Sequence, residues 1–111
     1  MKKLIITADD FGLTPGINKA ICECAAAKKI TATSAMPTGM AFDEIKQFII
    51  DYPHIEIGLH FDLVSDKLST NLQPEKNVFK LYLRTLYDKK FLFLIEKELR
   101  AQLEKLMDIV S

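Results

Sequence analysis

Hydrophobic and polar positions come in blocks along the chain, and the period of the blocks changes wherever turn residues intervene. Leu4 to Ala8 is a short apolar run closed by Asp9, Asp10 and Gly12, which predicts a strand buried on both faces and ended by a turn. Thr14 and Pro15 then supply a helix N-cap and a first helical position. Ile17, Ala20, Ile21, Cys24 and Ala25 follow as an apolar stripe at helical spacing that runs out near Lys28 and Lys29. Ile30 to Met36 is rich in β-branched residues and stops at Pro37-Thr38-Gly39, predicting a second strand. Phe42 to Ile50 returns to helical spacing until Tyr52-Pro53 breaks it. Ile55 to Leu63 predicts a third strand, apolar except at Glu56, Gly58, His60 and Asp62.

Three strands separated by two helices, in units of about 25 residues, predict an α/β chain of parallel βαβ units. Ligands of such sheets bind beyond the carboxyl ends of the strands, where Asp9, Asp10, Thr38, His60 and Asp62 would gather. Val64 to Asn77 shows no period and exceeds the usual connection of about 4 to 6 residues, as functional loops do. From Val78 the pattern is helical to the end. Leu92, Ile95, Leu99, Leu103, Leu106 and Val110 make one stripe there, with Glu96 and Arg100 a favourable pair one turn apart.

Composition narrows the function classes. The 111 residues are 49% hydrophobic and 27% charged, which fits one domain. Fifteen Lys and Arg balance fifteen Asp and Glu with no basic run, so nucleic acid is not an expected partner. Leu4 to Ala8 is too short for the apolar region of a signal peptide, and no apolar run approaches the roughly 20 residues that cross a bilayer. The expected setting is therefore the cytoplasm, with no membrane partner. Cys22 and Cys24 lie two apart on a helix and point to nearly opposite sides, so they are expected to be buried free thiols that share neither a disulfide nor a metal ion.

Adjacent carboxylates at a strand end are informative because strand neighbours face opposite ways, and only a bend lets both approach one pocket. Asp9-Asp10-Phe11-Gly12 provides such a bend, although an acidic pair alone serves as readily as a solvated turn and cap. His60, near the end of a central strand, can join a carboxylate in holding a divalent ion, or can be a satisfied core histidine. His54, beside Pro53, fits only the plainer role, and Thr33 and Ser34 read as strand residues.

Taken in order, Thr7-Ala8-Asp9-Asp10-Phe11-Gly12, Pro15-Gly16-Ile17-Asn18, Thr31-Ala32-Thr33-Ser34 and Gly58-Leu59-His60 form a pattern that resembles the YdjC-like carbohydrate deacetylases, from about Lys3 to Leu63. The resemblance implies a distorted (β/α) barrel that removes acetyl groups from N-acetylated sugars such as chitooligosaccharides, using a divalent ion, magnesium or zinc. By the same resemblance, Asp10 and His60 are metal ligands and Asp9 is the carboxylate that activates water. Thr38, Gly39 and Asp62 are then candidates for contacts to a small carbohydrate substrate.

The chain departs from that pattern in one respect. Members carry a later histidine-rich strand motif that supplies a further metal ligand, and no histidine follows His60 here. A full barrel takes about 250 residues, so residues 1–111 are expected to form a single, incomplete domain. An unpaired strand edge and exposed Leu99, Leu103 and Leu106 would favour a homo-oligomer. Two alternatives stand beside the enzyme. One is a catalytically inactive binding or assembly fragment. The other is a phosphoacceptor receiver domain using Asp9, Asp10 and Asp62, against which the helical second half and the absence of Lys-Pro weigh.

Overall fold

The computed structural model describes residues 1–111. In chain order it contains β1 (Thr7–Phe11), α1 (Pro15–Ala26), β2 (Ala32–Ala35), a 3-10 turn (Phe42–Glu44) leading into α2 (Ile45–Asp51), β3 (Glu56–Leu59), α3 (Val78–Tyr87) and α4 (Lys89–Val110). The strands form one parallel sheet in the order β1-β2-β3. The class is thus α/β with parallel βαβ units, as the sequence pattern predicts.

Two expectations about the strands are corrected. The first strand begins at Thr7 instead of Leu4, and it is not buried on both faces: Leu4, Ile5 and Ile6 are exposed. The reason is positional, since β1 is an edge strand and helices cover only one face of the sheet. Ala8, Thr33, Ala35, Ile57 and Leu59 turn toward that covered face, whereas Thr7, Asp9, Glu56 and Gly58 are exposed on the other. Likewise the third strand is an edge and β2 is the central one. His60 sits just past β3, and its N–H still donates to Ala35 O at 2.8 Å.

Helix α1 starts where Thr14 predicts, the Thr14 hydroxyl oxygen accepting from Ile17 N at 3.2 Å. Its inward face differs from the expected stripe, because Ala20 and Cys24 are exposed while Asn18, Ile21 and Ala25 are buried. Both cysteines are free, but Cys24 lies on the surface, which corrects the expectation of two buried thiols. Burial and the nearby Glu44 and Asp51 charges push the half-buried Cys22 thiol above its ordinary range.

The C-terminal helical region is two helices, not one. Asp88 adopts an extended conformation, ends α3 and caps α4 by accepting from Phe91 N at 3.0 Å. Helix α4 then packs through Phe91, Glu98, Gln102 and Leu106, while Leu92, Leu99 and Leu103 of the leucine stripe are exposed. Leu106 departs from its expected exposure, for it joins the core formed by Phe11, Ile21, Ala25, Ile30, Ala35, Phe42, Ile45, Phe48 and Ile55. This core fills the space between the covered sheet face and helices α1, α2 and the end of α4. Phe11 and Phe48 meet in it with ring centroids 4.8 Å apart.

The chain is open for its size. It exposes 7694 Å², against about 6,200 Å² for a compact monomer of this mass. Its radius of gyration is 15.4 Å, where about 13 Å is usual for this length. Helix α3 accounts for part of the difference, having no buried residue and presenting Val78, Phe79, Tyr82 and Leu86 to solvent. No helix is long and apolar enough to cross a membrane.

Candidate functional site

The acidic pair occupies an irregularity in the sheet. The β1–β2 register shifts between Ala8 and Phe11, and Asp10 takes a φ of 69°, in the left-handed region. Such a conformation costs a residue with a side chain roughly 1–3 kcal/mol and is kept where its surroundings over-determine it. Its effect is to break strand alternation, so that Asp9 and Asp10 no longer point to strictly opposite faces. The bend inferred from the sequence is this bulge.

Asn18 holds the bend. It is buried, and its Oδ1 accepts from Gly12 N at 2.6 Å while its Nδ2 donates to Ala41 O at 3.0 Å and to Glu44 Oε2 at 2.9 Å. One amide thereby ties the loop after β1 to the loop after β2. The two loops touch so closely that a Cβ on Gly39 would lie 2.1 Å from Gly12 O. Gly39 is therefore required for packing, whatever else it contacts.

Across the C-terminal end of the sheet, side chains from three adjacent strands connect. Ser34 Oγ, from the central β2, donates to Asp9 Oδ1 at 2.7 Å and lies 3.1 Å from His60 Nδ1. The other ring nitrogen of His60, Nε2, is 3.3 Å from Asp10 Oδ1. Asp9, Ser34, His60 and Asp10 thus form one continuous polar chain. Ser34 has a larger part in it than its sequence context suggests. Knowing that the strands are parallel and in register would have placed it, since β2 must cross between the strands carrying Asp9 and His60.

Asp10 and His60 open onto a groove of about 440 Å³ whose walls include Leu13, Met36, Val64 and Leu81. Asp62 also borders the groove, but its carboxylate is already engaged: Oδ2 accepts from Thr38 Oγ1 at 2.6 Å, and Oδ1 accepts from Val64 N and Ser65 N at 3.0 and 3.1 Å. Burial pushes the Asp62 carboxyl up, yet the donors of Ser65, Thr38 and Val64 outweigh it and hold the group below the ordinary carboxylate range. Thr38 and Gly39 face a different, smaller pocket of about 260 Å³ beside Lys67 and Lys105. The structure therefore joins Thr38 to Asp62 but does not bring Thr38 or Gly39 into the groove with Asp10 and His60. A larger cavity of about 530 Å³ between the long loop and α3 and α4 contains Arg84 and Lys97 but no carboxylate or imidazole.

Two residues of α4 fix the long loop. Gln102 Oε1 accepts from Asp62 N at 3.0 Å, and its Nε2 donates to Asp62 O and to Glu98 Oε1, each at 2.6 Å. Glu98 in turn accepts from Ser69 N at 2.8 Å and from Thr70 N at 2.7 Å. Both side chains are 0% exposed. Burial raises the Glu98 carboxyl, but the donors of Thr70, Gln102 and Ser69 bring it below its ordinary range. The leucine stripe concealed these residues from a sequence reading. Their signal was their spacing, four apart on the helix face that also carries Phe91 and Leu106.

Asp10 and His60 suit two positions around a small divalent ion. Ligand atoms about 2.0–2.1 Å from a tetrahedral centre lie about 3.3–3.4 Å from one another, and the Oδ1–Nε2 distance is 3.3 Å. No group of three or more His, Cys, Asp or Glu side chains converges. The chain's own residues thus offer two ligands, fewer than the three usual in a catalytic zinc site.

The carboxylate–hydroxyl–imidazole–carboxylate chain lies at the C-terminal end of a parallel α/β sheet, the end at which such sheets bind their ligands. The chain matches the YdjC-like protein family over residues 3–110 and belongs to it. It is also similar to a solved structure from Enterococcus faecalis V583, a protein provisionally named for cellobiose-phosphate cleavage, with 27% identity and a TM-score of 0.73. That similarity covers 99% of this chain and 45% of the other, so the chain spans about half the length of that protein.

Proposed function

We propose that this chain belongs to a carbohydrate-processing enzyme and carries part of a metal-dependent site that removes acetyl groups from N-acetylated sugars. The observation that supports this reading most directly is the convergence of Asp10 Oδ1 and His60 Nε2 at 3.3 Å, with Asp9 linked to the same imidazole through Ser34. Family membership and the carbohydrate named for the Enterococcus faecalis protein agree with a sugar substrate.

In this reading Asp10 and His60 hold a magnesium or zinc ion, which would supply Lewis-acid polarisation of the acetyl carbonyl and of a water molecule. Asp9 is exposed, and the Ser34 hydroxyl orients its Oδ1, leaving Oδ2 to accept the proton that the water gives up. The apolar groove walls give the sugar a surface to lie on, and the clamped loop after β3 forms one rim. Free Cys22 and Cys24 suit a reducing compartment, and we place the protein in the cytoplasm.

The test is acetate release from N,N′-diacetylchitobiose with added zinc or magnesium. Acetate formed once a further metal ligand completes the site, and lost in Asp9→Asn, is the expected result. No acetate with either ion would refute catalysis by this chain and leave the binding or assembly role. Appearance of monosaccharides without acetate would instead favour glycosidic cleavage, the reaction in the name of the Enterococcus faecalis protein.

A further inference from the structure

The hydrogen bonds around Ser34 call for a hydrogen on Nδ1 of His60. An ionised carboxylate accepts and cannot donate, so in the 2.7 Å contact the Ser34 hydroxyl proton points to Asp9 Oδ1. Serine has no second proton to give. The 3.1 Å contact between Ser34 Oγ and His60 Nδ1 must then be filled by a proton on Nδ1. A neutral imidazole protonated at Nδ1 has its lone pair at Nε2, and Nε2 faces Asp10 Oδ1 at 3.3 Å. In that neutral form two electron-pair donors face one another, and either a second proton on Nε2 or a metal ion between them relieves the repulsion.

We propose that Ser34 is the positioning residue of this site: by accepting from Nδ1 and donating to Asp9, it holds His60 in the tautomer whose Nε2 lone pair is aimed at the point shared with Asp10. The inference rests on the metal reading of Asp10 and His60 and assigns the residue that makes it possible. Without the Ser34 oxygen, Nδ1 loses its acceptor, and the remaining favourable contact is an Nε2–H donated to Asp10. That tautomer removes the lone pair a metal ion needs. Partners that orient a ligating histidine through its other nitrogen commonly change metal affinity by about 10–100-fold when removed. The same hydroxyl joins the imidazole to Asp9, so one side chain orients both the metal ligand and the base.

Long-range nitrogen–proton correlation spectra of the imidazole test this on the metal-free chain at mildly alkaline pH, since the spectra themselves report which ring nitrogens carry hydrogen. The expected result is the Nδ1–H form in the wild-type chain and in Ser34→Thr, which keeps the hydroxyl, and a shift to Nε2–H in Ser34→Ala. Titration with zinc ion in the same experiment should show affinity at least about tenfold weaker for Ser34→Ala than for Ser34→Thr. A merely structural role for Ser34 would not move the tautomer. If His60 keeps the Nδ1–H form in Ser34→Ala, the proposal is overturned whether or not zinc binds. A tautomer change with no zinc response in any variant supports the Ser34 assignment and overturns the metal reading instead.

Discussion

Glu98→Gln removes a charge from the interior while changing almost nothing in shape, and its cost follows from the hydrogen bonds around it. The carboxylate accepts three: from Ser69 N and Gln102 Nε2 at Oε1, and from Thr70 N at Oε2. An amide keeps one acceptor oxygen and turns the other position into a donor. If the NH2 group faces Thr70, one buried N–H meets a donor and loses its partner, a loss of about 1–3 kcal/mol. The opposite flip breaks two bonds and costs more. The bonds that survive also lose the assistance of a full charge, which roughly halves their strength. The sum is about 2–4 kcal/mol, out of a total stability of about 5–15 kcal/mol for an ordinary domain. Thermal unfolding followed by circular dichroism should show a midpoint lower by roughly 10–20 °C. Hydrogen exchange should show the Ser69 and Thr70 amides losing protection before the core strands do. A loss under about 0.5 kcal/mol, of the size of an ordinary surface substitution, with both amides still protected, would refute the assignment of Glu98 as the anchor of the loop.

Acid should destabilise the chain through the same groups. Asp62 and Glu98 both have carboxyls held below their ordinary range, so their contribution is present above the unfolded-state value and is lost as pH falls through the folded one. The melting temperature is expected to fall as pH drops below about 4, and less steeply in Glu98→Gln; an unchanged slope would contradict the linkage. Asp9→Asn should abolish any acetate release while leaving zinc binding nearly intact, whereas Asp10→Asn should reduce zinc binding, and equal losses in titrations of both variants would undo the separation of base from ligand. The surface in excess of a compact monomer, about 1,500 Å² by the mass scaling, approaches the area of a standard interface. Self-association is therefore expected in light scattering at low micromolar concentration, and a monodisperse monomer with one cooperative unfolding transition would argue against it.

Much of the architecture was legible because it depends on local pattern. Thr14-Pro15 marked the start of α1 and Pro37-Thr38-Gly39 the end of β2. The βαβ order implied a parallel sheet, and hence a common end for Asp9, Asp10 and His60. What pattern could not show was which apolar residues have something to pack against. Leu99 and Leu103 are exposed as expected, yet Leu106 of the same stripe is buried in the core, and Glu98 and Gln102 are buried because the irregular loop brings them backbone groups to bond. Ser34 reads in the sequence only as a strand residue for a similar reason. A serine in a strand carries no signal until the neighbouring strands are put in register.

The single-sided sheet has one more consequence, which lies at Gly58. This residue is in register with Ser34, and a Cβ built on it meets nothing within 4 Å. Register partners in neighbouring strands stand about 4.8 Å apart, so any side chain there would rise directly beside the Ser34 hydroxyl. With hydrogen in that place, the floor next to the polar chain is bare peptide, flat enough for a planar group such as an amide to lie against it. The width of the approach to Ser34 and His60 is thus set by one residue's lack of a side chain, and it can be narrowed stepwise, through alanine and then valine, without touching any of the groups proposed to do chemistry.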